Sequence, residues 1–154
     1  MEIKIIQFVN LLLYSIIVSQ SFSYIISLTA VQLQMDASNY IPFRQATDKA
    51  FHARYKPVVY ASLVTNIILL AVTAAHITGI IFITTLIALL ALAGDIVIAL
   101  KGNIPINNMI NEWTIDQYPS DWKEYRVKWL SLFQKRQFLN IIGFMSLLAG
   151  AVFS

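Results

Sequence analysis

Four long apolar runs constrain the fold of this chain more than any other feature of its sequence. They predict helices at residues 5–31, 57–77, 79–100 and 137–153. A helix needs about 20 mostly apolar residues to cross a bilayer core, with a lower limit of about 17. The chain is 58% hydrophobic and 12% charged, whereas a soluble domain is typically about 25% charged. We therefore predict an all-α, polytopic membrane four-helix bundle that forms a single domain over residues 1–154.

Composition excludes several kinds of chemistry. The sequence contains no cysteine, which rules out disulfides, thiolate metal ligands and cysteine nucleophiles. His52 and His76 are predicted at opposite ends of one span, so we expect no shared metal site and no cofactor. The net charge of +3 is small and no dense basic run exists, which argues against nucleic acid. The partners that we expect are membrane lipid, a small apolar or aromatic ligand, and either further copies of the chain or other subunits of a membrane complex.

The distribution of Lys and Arg predicts the orientation. Thr78 and Gly79 leave room only for a tight turn, so the second and third spans should form a hairpin. With four spans, the polar segments 32–56 and 101–136 lie on the same side, and they hold every Lys and Arg except Lys4. The positive-inside rule places both segments in the cytoplasm and both termini outside, with a bacterial inner (plasma) membrane as the expected location.

Both basic segments should contain amphipathic helices on the cytoplasmic side. Apolar residues in the segment 43–55 recur at helical spacing. That helix can either lie in the headgroup plane or extend the second span. In the second segment, Asn103 is expected to cap a short helix with Pro105 in its first turn. A long helix should start after Pro119.

Polar side chains within the spans suggest an internal pocket. Counted from the basic side at 1.5 Å per residue, the polar residues of all four spans share a layer roughly 5–14 Å deep. Asp95 matters most, because a carboxylate near mid-span costs about 2.5–3.5 kcal/mol on insertion scales. We expect it to point inward, with Arg136 as its partner if it is ionised. The structural alternative for Asp95 is an ion pair or a protonated hydrogen-bonding group, and for the Ser, Thr and Asn residues it is hydrogen bonding between helices. The layer consists of Tyr24, Ser62, Asn66, Asp95 and Asn140.

The last helix carries one stripe on which aromatic residues and arginines alternate. Its members recur at intervals of four and three residues, so they share a face that would cover the pocket. The alternative is an aromatic belt at the membrane interface with snorkelling arginines. His52 is a candidate base, although a histidine in a loop is more often simply solvated. The stripe consists of Trp122, Arg126, Trp129, Phe133, Arg136 and Asn140.

Two segments resemble a known family. The stretch NIPINNMINEW at 103–113, followed by DWKEYRVKWLSLFQKR, resembles the anthrone oxygenase-like membrane proteins, also called DUF1772. That family has an N-x-P-x-N turn after its third span and a helix with a W-x-x-x-R-x-x-W pattern. YIPFRQATDKAFHARYKP also resembles the family's first loop. The matching positions are Asn103, Pro105, Asn107, Trp122, Arg126, Trp129 and Arg136.

The resemblance implies a four-span bundle and suggests an activity. A few members of the family oxidise anthrones to anthraquinones with O2 and without a recognised cofactor. By that resemblance, this chain would be a cofactor-independent oxygenase of a small aromatic or quinone-like molecule. Asp95 or His52 would be the base, Arg126, Arg136 and Asn107 would stabilise an oxyanion, and Trp122 and Trp129 would stack on the ring. The remaining predicted binding residues are Asn66, Asn103, Asn140 and Tyr24.

Two other readings of the sequence remain open. A non-catalytic membrane protein, either a small-molecule binder or a structural subunit, fits the lack of a nucleophile motif equally well. A transporter is the third reading, and with four spans it would have to dimerise.

Overall fold

Helices account for almost all of residues 2–154, which are the residues described by the computed structural model. The helices are α1 (Glu2–Ser23), α2 (Thr29–Gln34), α3 (Ala37–Thr73), α4 (Ile80–Ile98), α5 (Ile104–Asn111) and α6 (Trp122–Val152). Single π-helical turns, Tyr24–Leu28 and Ala99–Asn103, join α1 to α2 and α4 to α5. The predicted all-α class is confirmed, with four long helices.

Three of the long helices could cross a membrane by length and composition. They are Glu2–Gln34, Ala37–His76 and Ile80–Asn111. The predicted fourth span, residues 137–153, lies in α6, which is not among the three. Gln137 and Asn140 are polar residues within this predicted span, and Arg136 directly precedes the span. The structure thus supports an integral membrane protein with three candidate spans, and a fourth crossing by α6 stays a prediction.

The second predicted span is part of a much longer helix. The amphipathic segment 43–55 extends this span, and α3 runs without a break from Ala37 to Thr73 with Pro57 inside it. Of the two arrangements considered for this segment, the structure therefore shows the one in which it extends the second span. The helix begins where the Asp36 carboxylate accepts the backbone N–H of Asn39 at 3.0 Å, an N-cap that satisfies one free donor of the first turn.

The hairpin between α3 and α4 is as tight as predicted. A short 3-10 turn at Ala74–His76 follows α3, and α4 begins directly after Gly79. The other end of α4 differs from the prediction for Asn103. Since α4 continues through a π-helical turn into α5, α5 has no free N-terminus, and the Asn103 side chain caps nothing. Its Nδ2 instead donates to the backbone oxygen of Trp129 at 3.0 Å, which ties this turn to α6.

The bundle has two hydrophobic clusters stacked along its axis. The membrane-level cluster joins Tyr14 and Ile17 of α1 to Ala88 and Leu92 of α4, and to Leu147 of α6. Here Gly143 allows close packing of α1 on α6, because a Cβ at this position would overlap the Tyr14 hydroxyl. The second cluster lies at the basic end of the molecule, where α2, α5 and the N-terminal halves of α3 and α6 meet. It contains Tyr24, Ala37, Tyr40, Ile41, Ile106, Ile110, Trp122, Trp129, Leu130 and Phe133.

Candidate functional site

A cavity of about 410 Å³ lies between α3, α4 and α6 at the basic end of the bundle. A row of residues spaced four apart on α3 lines one side of the cavity, because such residues are neighbours on a helix surface. The facing wall combines α4, the following π-helical turn, α5 and α6. The row consists of Arg44, Asp48, His52, Lys56 and Tyr60, and the facing wall includes Asp95, Ile96, Leu100, Asn107, Trp129 and Arg136.

The cavity has an enclosed end and an open end. Arg44, Asp48 and Trp129 are buried at the enclosed end, beneath α5 and α6. At the open end Tyr60 is 57% exposed and Leu100 is 58% exposed. Tyr60 and Leu100 belong to the apolar runs of the second and third spans, and the lining residues His52 and Lys56 of the basic segment are exposed as well. The opening therefore extends along α3 from the basic segment to the edge of the apolar runs.

Asp95 forms the ion pair that was expected from its position. Its Oδ1 accepts Arg136 Nε at 2.8 Å and Asn140 Nδ2 at 3.1 Å, and its Oδ2 accepts Arg136 Nη2 at 3.4 Å. The Asp95 side chain is only 2% exposed and that of Arg136 is 12% exposed. Arg136 and Asn140 are therefore partners of Asp95, whereas Asn66 and Tyr24 make no contact with it. These bonds occupy three of the roughly four acceptor sites of the carboxylate, and the bond to Oδ2 is long.

A second buried carboxylate, Asp48, was not among the predicted site residues. Its Oδ1 accepts Asn107 Nδ2 at 2.6 Å and its Oδ2 accepts Asn111 Nδ2 at 2.8 Å. Asn107 Oδ1 in turn accepts the indole N–H of Trp129 at 2.8 Å. This network explains the run of asparagines after α4, because two of those amides satisfy one buried carboxylate. The signal in the sequence was an amide-rich turn that needed an acceptor on a neighbouring helix.

Arg44 is the other site residue that the sequence did not single out, except as a basic residue of the first polar segment. Its guanidinium lies 4.0 Å from the centre of the Trp129 ring. Its Nη1 donates to the Tyr24 hydroxyl at 3.2 Å, while its Nε, though buried, has no hydrogen-bond partner among residues 2–154. Tyr24 thus contributes by holding Arg44. Trp129 packs against Arg44 and, at 5.1 Å between ring centres, against Phe133.

Arg126 and Trp122 lie outside the cavity. Arg126 Nη1 donates to the backbone oxygens of Gln32 at 2.9 Å and Met35 at 2.7 Å, so it closes the C-terminal end of α2. Its guanidinium packs over the Trp122 ring at 4.8 Å. These contacts give both residues a structural role, and the predicted oxyanion and stacking roles have no geometric support here.

Asn66 belongs to a separate polar cluster within the spans. Its Nδ2 donates to Asn10 Oδ1 at 3.0 Å, and the Thr65 hydroxyl donates to the same oxygen at 3.0 Å. These bonds join α1 to α3, which is the interhelical alternative considered for such residues. The single polar layer expected from depth is therefore divided into distinct groups. His52, by contrast, does line the cavity, and its side chain is exposed.

Of the predicted site residues, the structure brings five together at the cavity: Asp95, His52, Asn107, Trp129 and Arg136. Within residues 2–154, no group of three or more His, Asp or Glu side chains is placed to hold a metal ion. By formal charge the lining has one more basic side chain than carboxylates, with Arg44, Lys56 and Arg136 on one side of the count and Asp48 and Asp95 on the other. Comparisons with known protein families, characterised proteins and solved structures found no match.

Proposed function

We propose that this membrane protein binds a small aromatic, phenolic or quinone-like molecule in the cavity. The supporting observation is the composition of the lining, in which Phe51, Tyr55 and Tyr60 stand beside a few buried charged groups. Ligand sites are mostly apolar clefts of about 300–1,000 Å³ in which a few polar groups fix orientation. Trp129 also lines the cavity, but Arg44 and Phe133 pack against its ring, so these three aromatic residues are the ones that would stack on the ring of a ligand.

The catalytic form of this proposal is a cofactor-independent oxygenase, as the resemblance to anthrone oxygenase-like proteins implies. A base would remove an acidic proton from the ligand, and the resulting carbanion or phenolate would react with O2. For a methylene group oxidised to a carbonyl, one oxygen atom forms the C=O bond and the other leaves as water with both hydrogens. His52 is the better candidate base, because its side chain is exposed at the cavity wall whereas Asp95 is buried in an ion pair with Arg136.

The contacts of Asp95 also favour a second candidate, a binder without turnover. The ion pair with Arg136 and the hydrogen bond from Asn140 resemble a structural link between α4 and α6 more than a reacting group. In that case the cavity would hold a ligand, or a segment of another subunit, without chemistry.

Oxygen consumption and ligand binding, measured on the same protein in lipid nanodiscs, separate these candidates. With anthrone as the probe, we expect the wild type to consume O2. His52→Gln should lose this activity but keep binding. His76→Gln is the matched control, because His76 lies in the 3-10 turn after α3 and does not line the cavity, so this variant should behave as the wild type.

Each result decides one point. If anthrone or a naphthoquinone binds and no O2 is consumed, the candidate that stands is the binder without turnover, and this oxygenase activity is excluded. Equal O2 consumption by the wild type and His52→Gln would remove His52 as the base. If neither probe binds the wild type above the level of empty nanodiscs, the proposed function is wrong.

A further inference from the structure

The cavity contains a buried cation, Arg44, that forms no ion pair with a carboxylate of residues 2–154. Arg44 is 3% exposed. Within residues 2–154 the sole ion pair joins Arg136 to Asp95. Asp48, one turn away on α3, directs its two oxygens at the amides of Asn107 and Asn111 and not at Arg44. A buried charge without a partner is costly, so a site of this kind favours a ligand that brings the missing anion.

The immediate surroundings of Arg44 hold it in place without satisfying it. The Tyr24 hydroxyl takes one of its N–H groups, and the Trp129 ring supports the guanidinium plane. An arginine offers five N–H donors in a planar fork that suits a carboxylate or a similar pair of oxygens. The Nε donor is fully buried and has no acceptor among residues 2–154, so a ligand in the cavity would meet the Nη groups at the outer edge of the guanidinium. Arg44 is therefore a positioned cation at the enclosed end of the cavity.

The two ends of the cavity differ in polarity along α3. Arg44 lies in the basic segment 32–56, while Tyr60 lies in the apolar run 57–77, about 24 Å further along the helix axis. The part of the opening between Tyr60 and Leu100 thus lies at the edge of the apolar runs, next to the lipid chains, while its other part, at His52 and Lys56, lies in the basic segment. Lys56, exposed between the two ends, is placed for contact with lipid headgroups. A molecule that fills the length of this cavity would have its charged end beneath α5 and α6 and its apolar end in the bilayer.

We propose that the cavity takes an amphiphilic anion from the membrane, with its acidic oxygen on Arg44 and its apolar part leaving between α3 and α4. This inference rests on the proposed function only in that the cavity is a ligand site. It narrows the ligand to a molecule that is ionised at neutral pH and carries an apolar chain. An acidic hydroxyquinone with an alkyl chain has both properties, and a long-chain carboxylate shares them without the ring.

Four probes test the charge, the chain and the ring separately. They are a 2-hydroxy-3-alkyl-1,4-naphthoquinone, its neutral 2-methoxy analogue, 2-hydroxy-1,4-naphthoquinone without a chain, and dodecanoate. Dissociation constants are measured by titration of protein-containing nanodiscs, with empty nanodiscs as the blank. We expect the alkylated hydroxyquinone to bind more tightly than both its methoxy analogue and the form without a chain.

Two variants test whether Arg44 causes the tighter binding of the alkylated hydroxyquinone. A hydrogen bond to a charged group is worth about 1.5–3 kcal/mol, so Arg44→Gln should bind the alkylated hydroxyquinone roughly 10- to 100-fold more weakly. The methoxy analogue should bind Arg44→Gln as it binds the wild type, which also shows that the variant is folded. Arg54→Gln removes an exposed cation of the same helix that does not line the cavity, and it should behave as the wild type.

The outcomes separate this inference from the function proposed above. If the hydroxy and methoxy quinones bind equally and Arg44→Gln changes neither, the anion site is excluded while the aromatic site stands. If the dissociation constant does not depend on the alkyl chain of the quinone, access from the bilayer is excluded. If dodecanoate binds in an Arg44-dependent manner and no quinone binds, the anion site stands and the aromatic function is wrong.

Discussion

Replacing Arg136 by methionine should destabilise the protein by about 3–5 kcal/mol, because it leaves the buried Asp95 carboxylate without a cation. The Asp95 side chain is 2% exposed and lies 2.8 Å from Arg136 Nε. Its one other side-chain donor is the Asn140 amide at 3.1 Å, which carries no charge. Asp95→Asn should cost less, about 1–3 kcal/mol, because the remaining Arg136 keeps an acceptor and has partial access to solvent.

The double variant distinguishes a buried ion pair from two independent residues. With asparagine at position 95 and methionine at 136, no charge is buried, and Asn140 can still donate to the new amide oxygen. We therefore expect the double variant to be about 1–3 kcal/mol more stable than Arg136→Met alone. An additive pair would instead make it less stable than either single variant.

Unfolding in detergent micelles, followed by circular dichroism during titration with sodium dodecyl sulfate, gives the four free energies. The matched control is Lys135→Met, which removes the exposed neighbouring cation and should shift the unfolding free energy by less than about 0.5 kcal/mol. A loss below about 1 kcal/mol for Arg136→Met would show that the carboxylate is solvated or protonated in the protein. Additivity in the double variant would refute the ion-pair argument as well.

Three further predictions concern packing, the π-helical turn and orientation. Gly143→Ala should destabilise the protein by at least about 1–3 kcal/mol in the same unfolding assay, because its Cβ would overlap the Tyr14 hydroxyl; unchanged stability would contradict the close packing of α1 on α6. Asn103→Ala should cost about 1–3 kcal/mol, since it leaves the buried Trp129 carbonyl without this donor, and a neutral result would show that the bond is dispensable. A phosphatase fused after Ser154 should be active, as expected for a C-terminus outside the cytoplasm; an inactive phosphatase together with a fluorescent cytoplasmic fusion at the same position would reverse the predicted orientation.

Much of the fold could be predicted from the sequence because helices in a membrane are governed by local patterns. Length and apolar content locate spans, and the two residues between the second and third runs permit only a hairpin, as the structure shows at Gly79. The boundaries were less predictable. A proline usually marks a break, yet Pro57 lies inside α3, and α4 passes through a π-helical turn into α5 where a new helix start was expected.

The candidate site, too, could be predicted only in part. The stripe from Trp122 to Asn140 and the inward position of Asp95 followed from helical spacing and from the cost of a charge in lipid, and Arg136 was the expected partner. Arg44 and Asp48 were hidden, because their spacing on α3 resembles an ordinary solvated face. Burial of that face depends on α5 and α6, which follow it by more than fifty residues in the chain.

The sequence by itself determined the helical class, the candidate spans and the side on which basic residues gather, since each depends on residues close together in the chain. The tertiary structure alone decided which polar groups meet. It pairs Asp48 with two asparagines, sets Arg44 on Trp129 without an anion, and uses Arg126 to close α2. The physical reason is that hydrogen bonds and charge pairing act over a few ångströms, and the helix rotations that bring such groups together are set by the packing of the whole bundle.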